Sequence, residues 1–159
     1  GHHSAGLNGP RNFVDMNPEI VANTLLTLNI EHVAQRNFIP ARSVGADGYR
    51  EFTADAGETP IVAGITNSAP FLESLVAQGV ERYGPNFVAG SSTMASGEGG
   101  GYRGINAPIV TLMQSPPLYH TSGEVIEAIS EPGLERMARF IAFFIKALDS
   151  AAAEQISPP

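Results

Sequence analysis

Residues 107–125 read APIVTLMQSPPLYHTSGEV, and this stretch decides the fold of the chain. It begins with the short apolar run that a central, buried β-strand shows, formed by Ile109, Val110, Leu112 and Met113. Pro116 and Pro117 end the strand, because proline has no N–H to donate to a sheet. The loop that follows carries Tyr119, His120, Thr121 and Glu124. In open α/β sheets the ligand crevice lies beyond the carboxyl ends of the strands, so this loop is the first candidate for a functional site.

The composition excludes several classes of protein. The chain has 159 residues, of which 43% are hydrophobic, as expected for one folded domain. Its formal net charge is −7 and Lys146 is its one lysine, so it has no basic face for a phosphate backbone and nucleic acid is not an expected partner. The longest candidate for a membrane helix, residues 140–148, is interrupted by Lys146 and is shorter than the roughly 20 residues required. We expect no membrane span.

The absence of cysteine and the first residues of the chain bear on possible chemistry. Without cysteine, the plausible metal ligands are histidine, aspartate and glutamate. The chain starts Gly1-His2-His3, with neither a methionine nor the apolar region of a signal peptide. This start predicts a processed or truncated end, and His2-His3 also match the remnant of an expression tag.

The order of the periodic segments predicts a layered α/β fold. Helical patterns occur at residues 9–16, 18–22, 68–83 and 130–148, with Asn17 as the cap that opens the second of them. Strand patterns occur at residues 24–31, 86–92 and 107–113, the first of which has apolar side chains on both faces. Residues 35–67 contain one or two further strands, which we place at the margin of the sheet. The result is an α/β fold with a mainly parallel mixed sheet.

The last helix and the tail complete the predicted domain, which spans residues 1–150. Ser130 is the predicted cap of this helix. Its broad apolar face contains Leu134, Met137, Ala138, Ile141, Phe144, Ile145 and Leu148, and is widened by Phe140 and Phe143. Residues 151–159 are predicted to form a flexible tail.

A glycine-rich segment, residues 96–104, precedes the strand of the opening stretch. Gly99, Gly101 and Gly104 have the G-x-G-x-x-G spacing of dinucleotide-binding proteins. That motif must open a helix whose N-terminus holds the pyrophosphate, and here a strand follows, so we reject the match. The segment is interpreted as a mobile surface loop that carries Glu98 and Tyr102.

Glu31 stands at the end of the first predicted strand. A carboxylate at the end of a buried strand costs free energy unless it is solvated, paired or bound to a metal. Two interpretations therefore stay open, a solvated strand-end carboxylate and a metal ligand. Hydrolytic metal sites need several such groups converging from different elements.

Four passages resemble motifs of the co-catalytic zinc aminopeptidases of metallopeptidase family twenty-eight, which also include glutamate carboxypeptidase-like proteins. Residues 1–9 are similar to the family's Glu-Glu-x-Gly-Leu-x-Gly-Ser turn. Residues 28–31, Leu-Asn-Ile-Glu, are similar to the strand that ends in an acidic zinc ligand. Residues 104–109, Gly-Ile-Asn-Ala-Pro-Ile, are similar to the family's Gly-Ile-Pro-Ala strand, and residues 119–125 resemble its Tyr-His-Thr-x-x-Asp-Thr motif.

The resemblance implies a zinc-dependent peptide hydrolase with a three-layer α/β sandwich of the zinc-exopeptidase type. Two zinc ions would activate a water for attack on a peptide bond. The motifs place His2 at the position of the catalytic base, and His3, Glu31 and His120 at ligand positions. The residues implied on the substrate side are Glu98, Tyr102, Tyr119 and Thr121. Peptide is the implied substrate, and an extracellular or periplasmic soluble protein is the implied setting.

The resemblance also has departures. His2-His3 stand where the family has a glutamate pair, and the family's first ligands precede that pair. The chain therefore resembles the C-terminal half of such an enzyme, and the missing N-terminal half or another subunit would complete the metal site. Two alternatives stay open: a non-catalytic module of the same fold with a degenerate metal site, and a flavodoxin-like binding domain with the glycine-rich segment at its ligand.

Overall fold

The computed structural model describes residues 6–66, 69–83, 87–89, 97–102 and 104–157, and at 56 and 87–89 it describes the backbone alone. The helices of this part are α1 (Asn8–Met16), α2 (Pro18–Ala22), α3 (Pro70–Tyr83), α4 (Glu131–Asp149) and α5 (Ala153–Ile156). The strands are β1 (Thr27–Glu31), β2 (Arg36–Pro40), β3 (Phe52–Glu58), β4 (Ile61–Ile65), β5 (Phe87–Ala89) and β6 (Ile109–Gln114). Short 3-10 helices span Gly97–Tyr102 and Ile126–Ala128. The chain is a mixed α/β protein.

The predicted central strand, β6, lies inside a four-stranded sheet of order β1-β6-β4-β5. It pairs in parallel with β1 and antiparallel with β4, and β4 pairs in parallel with β5. Its first four residues are all buried, which confirms the prediction. Because β1 and β6 are parallel, with Glu31 opposite Met113, their carboxyl ends meet at one edge of the sheet. The antiparallel pair distinguishes this sheet from the all-parallel sheet of a flavodoxin-like domain.

Two predictions about strand positions are wrong. Residues 35–67 were placed at the margin of the sheet, yet β4 lies between β6 and β5. β1 was expected to be buried on both faces, but it is an edge strand and Ile30 is 40% exposed. An apolar run predicts that its own side chains are buried. The position of the strand within the sheet depends on partner strands that are distant in the sequence.

β2 and β3 form a separate antiparallel pair. The buried side chain of Gln114, in β6, joins the base of this hairpin to the main sheet. Its Oε1 accepts a hydrogen bond of 2.7 Å from the backbone N–H of Gln35, and its Nε2 donates one of 2.5 Å to the carbonyl of Thr59. Gln114 is therefore one of the groups that anchor the hairpin to the rest of the chain.

The hydrophobic core lies between one face of the main sheet and the pair α3 and α4. Its largest fully buried side chains include Ile61, Leu72, Val76, Val110, Leu112, Met137, Phe140 and Phe144. Each such side chain contributes about 1.5–3 kcal/mol when it leaves water. The helix predicted from the apolar spacing of residues 71–80 is present as α3. Its predicted caps, at residues 67–68 and 84–85, lie outside the described residues.

Helix α4 begins as predicted and differs in its buried face. The hydroxyl of Ser130 accepts a hydrogen bond of 3.1 Å from the N–H of Gly133, which is an N-cap. Leu134 and Ile145 were assigned to the apolar face, yet each is 54% exposed. That part of the prediction is wrong, because the proposed face covered more of the helix circumference than one neighbouring layer can bury.

Gly97–Tyr102, called the glycine segment below, covers the other face of β1 and β6, and α1 packs on it. Gly99 and Gly101 are buried. A Cβ atom at residue 101 would lie 2.4 Å from the Cβ of Pro10 in α1. The prediction of a surface loop is therefore wrong for residues 97–102, since the missing side chains let the segment lie between the sheet and α1.

The ends of two other segments also differ from the expectation. Asn17 stands at the N-cap position of α2 with Pro18 after it, as predicted, but its side chain makes no cap hydrogen bond there; its Nδ2 instead donates a 2.7 Å hydrogen bond to the carbonyl of Phe13 in α1. In the segment predicted as a flexible tail, residues 153–156 form α5, and Ile156 is buried in the core. Of the helices in the described part of the chain, none has the length and hydropathy needed to cross a membrane.

Candidate functional site

The carboxyl ends of β1 and β6 open into a cleft of about 240 Å³. β1 brings Glu31 and the following His32 to it, and the loop after β6 brings Tyr119. The cleft is thus at the edge where the sequence predicted a ligand crevice. Its lining is Glu31, His32, Gly97, Met113, Gln114, Ser115, Pro116 and Tyr119.

Two hydrogen bonds hold the side chain of Glu31. Nδ2 of Asn29, two residues earlier on the same face of β1, donates to Oε1 at 2.7 Å. The backbone N–H of Glu98, in the glycine segment, donates to the same oxygen at 2.9 Å. Hydrogen bonds to a charged acceptor each contribute about 1.5–3 kcal/mol. Glu31 is therefore a half-buried carboxylate held by the protein, and not a freely solvated strand end.

Three aromatic rings stand side by side at the cleft. The ring of His32 meets that of Tyr119 edge-on, with 5.1 Å between the centroids. The ring of His120 stacks on Tyr119, with centroids 3.8 Å apart and an angle of 27° between the planes. Tyr119 thus contacts both imidazoles, and of the three rings His32 and Tyr119 line the cleft while His120 is exposed.

Both histidines have a left-handed backbone, with φ of 53° at His32 and 58° at His120. For a residue with a side chain this conformation costs roughly 1–2 kcal/mol. Such positions tend to cluster at functional sites, where the surrounding structure holds the strained geometry. His32 lines the cleft and His120 stacks on Tyr119, which also lines it, so both left-handed residues lie next to the candidate site.

The electrostatic environment of the cleft is acidic. Partial removal from water raises the pKa of the Tyr119 phenol, and the carboxylates of Glu98, Glu31 and Glu124 raise it further. The phenol therefore stays protonated and can donate a hydrogen bond well above neutral pH. The same negative charges favour a cationic ligand over an anionic one.

The other residues predicted for the site have varied positions. Glu98 reaches the site through its backbone N–H and its charge. Thr121 shapes the loop, because its hydroxyl donates a 2.6 Å hydrogen bond to the carbonyl of Leu118. Tyr102 packs edge-on against Phe13 of α1 and does not line the cleft. His2 and His3 lie outside the described residues.

The described side chains do not form a metal site by themselves. Within the described ranges, no three histidine, aspartate or glutamate side chains come together in a geometry that could hold a metal ion. Of the predicted ligands, Glu31 and His120 flank Tyr119 from two elements, and Oε1 of Glu31 already accepts two hydrogen bonds. A zinc site would need ligands from beyond these residues.

Sequence reasoning missed two groups that shape the site, Asn29 and Gly97. Asn29 could have been found, because residues two apart on a strand share a face and its amide can reach a carboxylate at Glu31. Gly97 could not, because its contact with Glu31 joins segments far apart in the chain.

Compared with known protein families, with curated proteins and with solved structures, the chain matches none.

Proposed function

We propose that the chain is part of a zinc-dependent, aminopeptidase-like peptide hydrolase, and that its cleft receives the substrate. One observation carries this proposal. Glu31 and the Tyr119-His120 loop, which come from two separate passages of the resemblance, meet at the carboxyl edge of the parallel pair β1 and β6. A three-layer sandwich is supported by packing on both faces of the sheet, α3 and α4 on one and the glycine segment with α1 on the other.

The charge of the cleft supports a substrate with a free amino terminus. A peptide α-amino group has a pKa of about 7.7–8.0, so it is largely cationic at neutral pH. Glu31 lines the cleft, and the carboxylates of Glu98 and Glu124 lie close enough to act on Tyr119. The negative charge of Glu98 and Glu124 would attract the ammonium group while Glu31 keeps its implied ligand position, and the protonated phenol of Tyr119 would donate a hydrogen bond to a substrate oxygen.

In hydrolases of this kind, bound zinc supplies an activated water. The described residues do not complete a zinc site, so the proposal places the remaining ligands elsewhere, at His3 or in the missing half or partner subunit that the resemblance implies. The described residues position the peptide and contribute Glu31 and His120 to the edge of the site.

The test uses the longest natural form of the protein. We expect metal analysis by mass spectrometry to find close to two zinc ions per chain, and aminoacyl-nitroanilides to be hydrolysed until a chelator is added. E31Q and H120A should lower kcat/KM by more than about 100-fold, beyond the loss caused by removing an outer-shell partner. E127Q, at an exposed residue outside the cleft, is the control. A metal-free, inert natural form would contradict the proposal.

A second candidate is a non-catalytic module of the same fold that binds peptide amino termini. It is favoured by the lack of a three-ligand group among the described side chains and by the two hydrogen bonds that already occupy Oε1 of Glu31. It predicts zinc-independent binding of a peptide with a free amino terminus, weakened by E31Q and lost when that terminus is acetylated. Calorimetry with the paired peptides separates it from the hydrolase.

A further inference from the structure

The glycine segment makes three close approaches that leave little or no room for a side chain. A Cβ at Gly97, where φ is 55°, would lie 2.0 Å from Oε1 and 2.3 Å from Oε2 of Glu31. A Cβ at Gly99 would lie 3.1 Å from Nδ2 of Asn29 and also 3.1 Å from Oγ1 of Thr111. Gly101 also lies close to Pro10, so residues 97, 99 and 101 each approach a different neighbour.

We propose that the glycine segment is a clamp that holds the Glu31 carboxylate in one orientation, with Gly97 and Asn29 as its positioning residues. Gly97 lets the backbone lie directly against the carboxylate, which brings the N–H of Glu98 within 2.9 Å of Oε1. Asn29 holds the same oxygen from the strand. This assigns a role to the glycine spacing that the rejected dinucleotide motif left unexplained.

The surface under the clamp includes a buried hydroxyl. The Thr111 hydroxyl is buried beneath Gly99 and has no hydrogen-bond partner among the residues that the structure describes. An unpaired buried polar group is unfavourable, and native structures contain few. Gly99 packs directly on Asn29 and Thr111, so glycine at residue 99 keeps the segment close to the sheet, where the N–H of Glu98 reaches Glu31.

The inference rests on the proposed function, because holding Glu31 matters only if that carboxylate acts on a ligand. The test therefore has a readout that does not need activity: amide hydrogen exchange at Glu98, measured by NMR on the full chain. N29D keeps the size of the side chain, removes the donor and adds a negative charge beside Glu31, and G97A displaces the carboxylate. Matched controls are N37D in β2 and G57A in β3, where a Cβ would meet nothing closer than 3.4 Å.

We expect N29D and G97A each to accelerate exchange of the Glu98 amide by about tenfold or more, the effect of losing one such hydrogen bond. The control variants should change the exchange rate of the Glu98 amide by less than about twofold. Exchange unchanged in both variants would overturn the clamp, whether or not the protein is an enzyme. If G97A does not fold, N29D decides, because it leaves the glycine segment intact.

The hydrolysis assay then tests the positioning role. Both variants should lower kcat about tenfold or more with little change in KM, because the carboxylate is present but misplaced. Faster exchange with unchanged kcat would overturn the positioning role. If the natural form does not hydrolyse peptides, the proposed function fails while the exchange experiment still decides the clamp.

Discussion

Gly79 of α3 faces Phe140 of α4 so closely that a Cβ at residue 79 would lie 2.1 Å from the ring atom Cε2. Phe140 is at the centre of the buried face of α4. The distance between the two helices therefore depends on a missing side chain, although glycine inside a helix costs roughly 1 kcal/mol relative to alanine.

G79A should lower the free energy of unfolding by about 1–3 kcal/mol, because overpacking of the core outweighs the gain in helix propensity. Urea denaturation measures the change. Adding F140L, which removes the ring atoms that clash, should make the double variant more stable than the sum of the two single effects predicts. Simple additivity of the two changes would show that the contact does not limit the helix spacing.

Q114L should destabilise the protein by about 2–4 kcal/mol. The substitution keeps the volume of a buried side chain, but leaves the N–H of Gln35 and the carbonyl of Thr59 without their partner. Q78L is the matched control, since Gln78 is exposed on α3 and its hydrogen bond to Ser74 lies in water. The free energies of unfolding lost in the two variants, measured by chemical denaturation, should differ by more than about 1.5 kcal/mol. This is roughly the contribution of one charged or two neutral hydrogen bonds. Equal losses would contradict the anchoring role of Gln114.

E58Q should lower the free energy of unfolding by about 1–2 kcal/mol, far more than E135Q does. Oε1 of Glu58 accepts hydrogen bonds from the Ser130 hydroxyl, at 2.5 Å, and from the Arg136 guanidinium, so one carboxylate links β3 to the start of α4. The pair Glu135 and Arg139 is 64% and 67% exposed, and exposed pairs contribute about 0–1 kcal/mol. Thermal denaturation of the two variants in low and high salt provides the comparison. A stronger effect of E135Q would contradict the link.

The fold could be predicted where local sequence carries the signal. The run before Pro116 gave the central strand, and Ser130 gave the start of α4, because prolines and caps act on their own neighbours. The position of β4 could not be predicted, since strand order depends on pairing between distant segments.

The candidate site also combines features that local sequence predicts with features that depend on distant segments. Glu31 ends β1 and Tyr119 follows β6, so each position can be read from a strand end in the sequence, and the parallel pairing of the two strands brings both residues to one cleft. The bond between Glu98 and Glu31 spans 67 residues and requires the left-handed backbone at Gly97. No local pattern reports such a contact, because glycine in a polar segment is equally compatible with a surface turn.

Alkaline pH should destabilise the wild-type protein more than Y119F. The pKa of Tyr119 is raised in the folded protein, so the folded state holds the phenolic proton more tightly than the unfolded chain does. The resulting stabilisation is fully present below the unfolded pKa of about 10 and is lost as the pH rises through the folded pKa. Urea denaturation at increasing pH measures the difference, and Y49F, at a residue that is 75% exposed, should behave like wild type.

The neighbouring carboxylates should contribute to this shift in a fixed order. Burial is its largest cause, followed by the charges of Glu98, Glu31 and Glu124. E98Q should therefore lower the pKa of Tyr119 most, E31Q less and E124Q least, and in every variant the pKa should stay above that of a free tyrosine. The ultraviolet absorbance of tyrosinate, with Y119F subtracted, follows the titration. If E124Q had the largest effect, the Tyr119 phenol would lie nearer the carboxylate of its own loop than those of β1 and the glycine segment, which would contradict the placement of Glu98 and Glu31 beside the phenol.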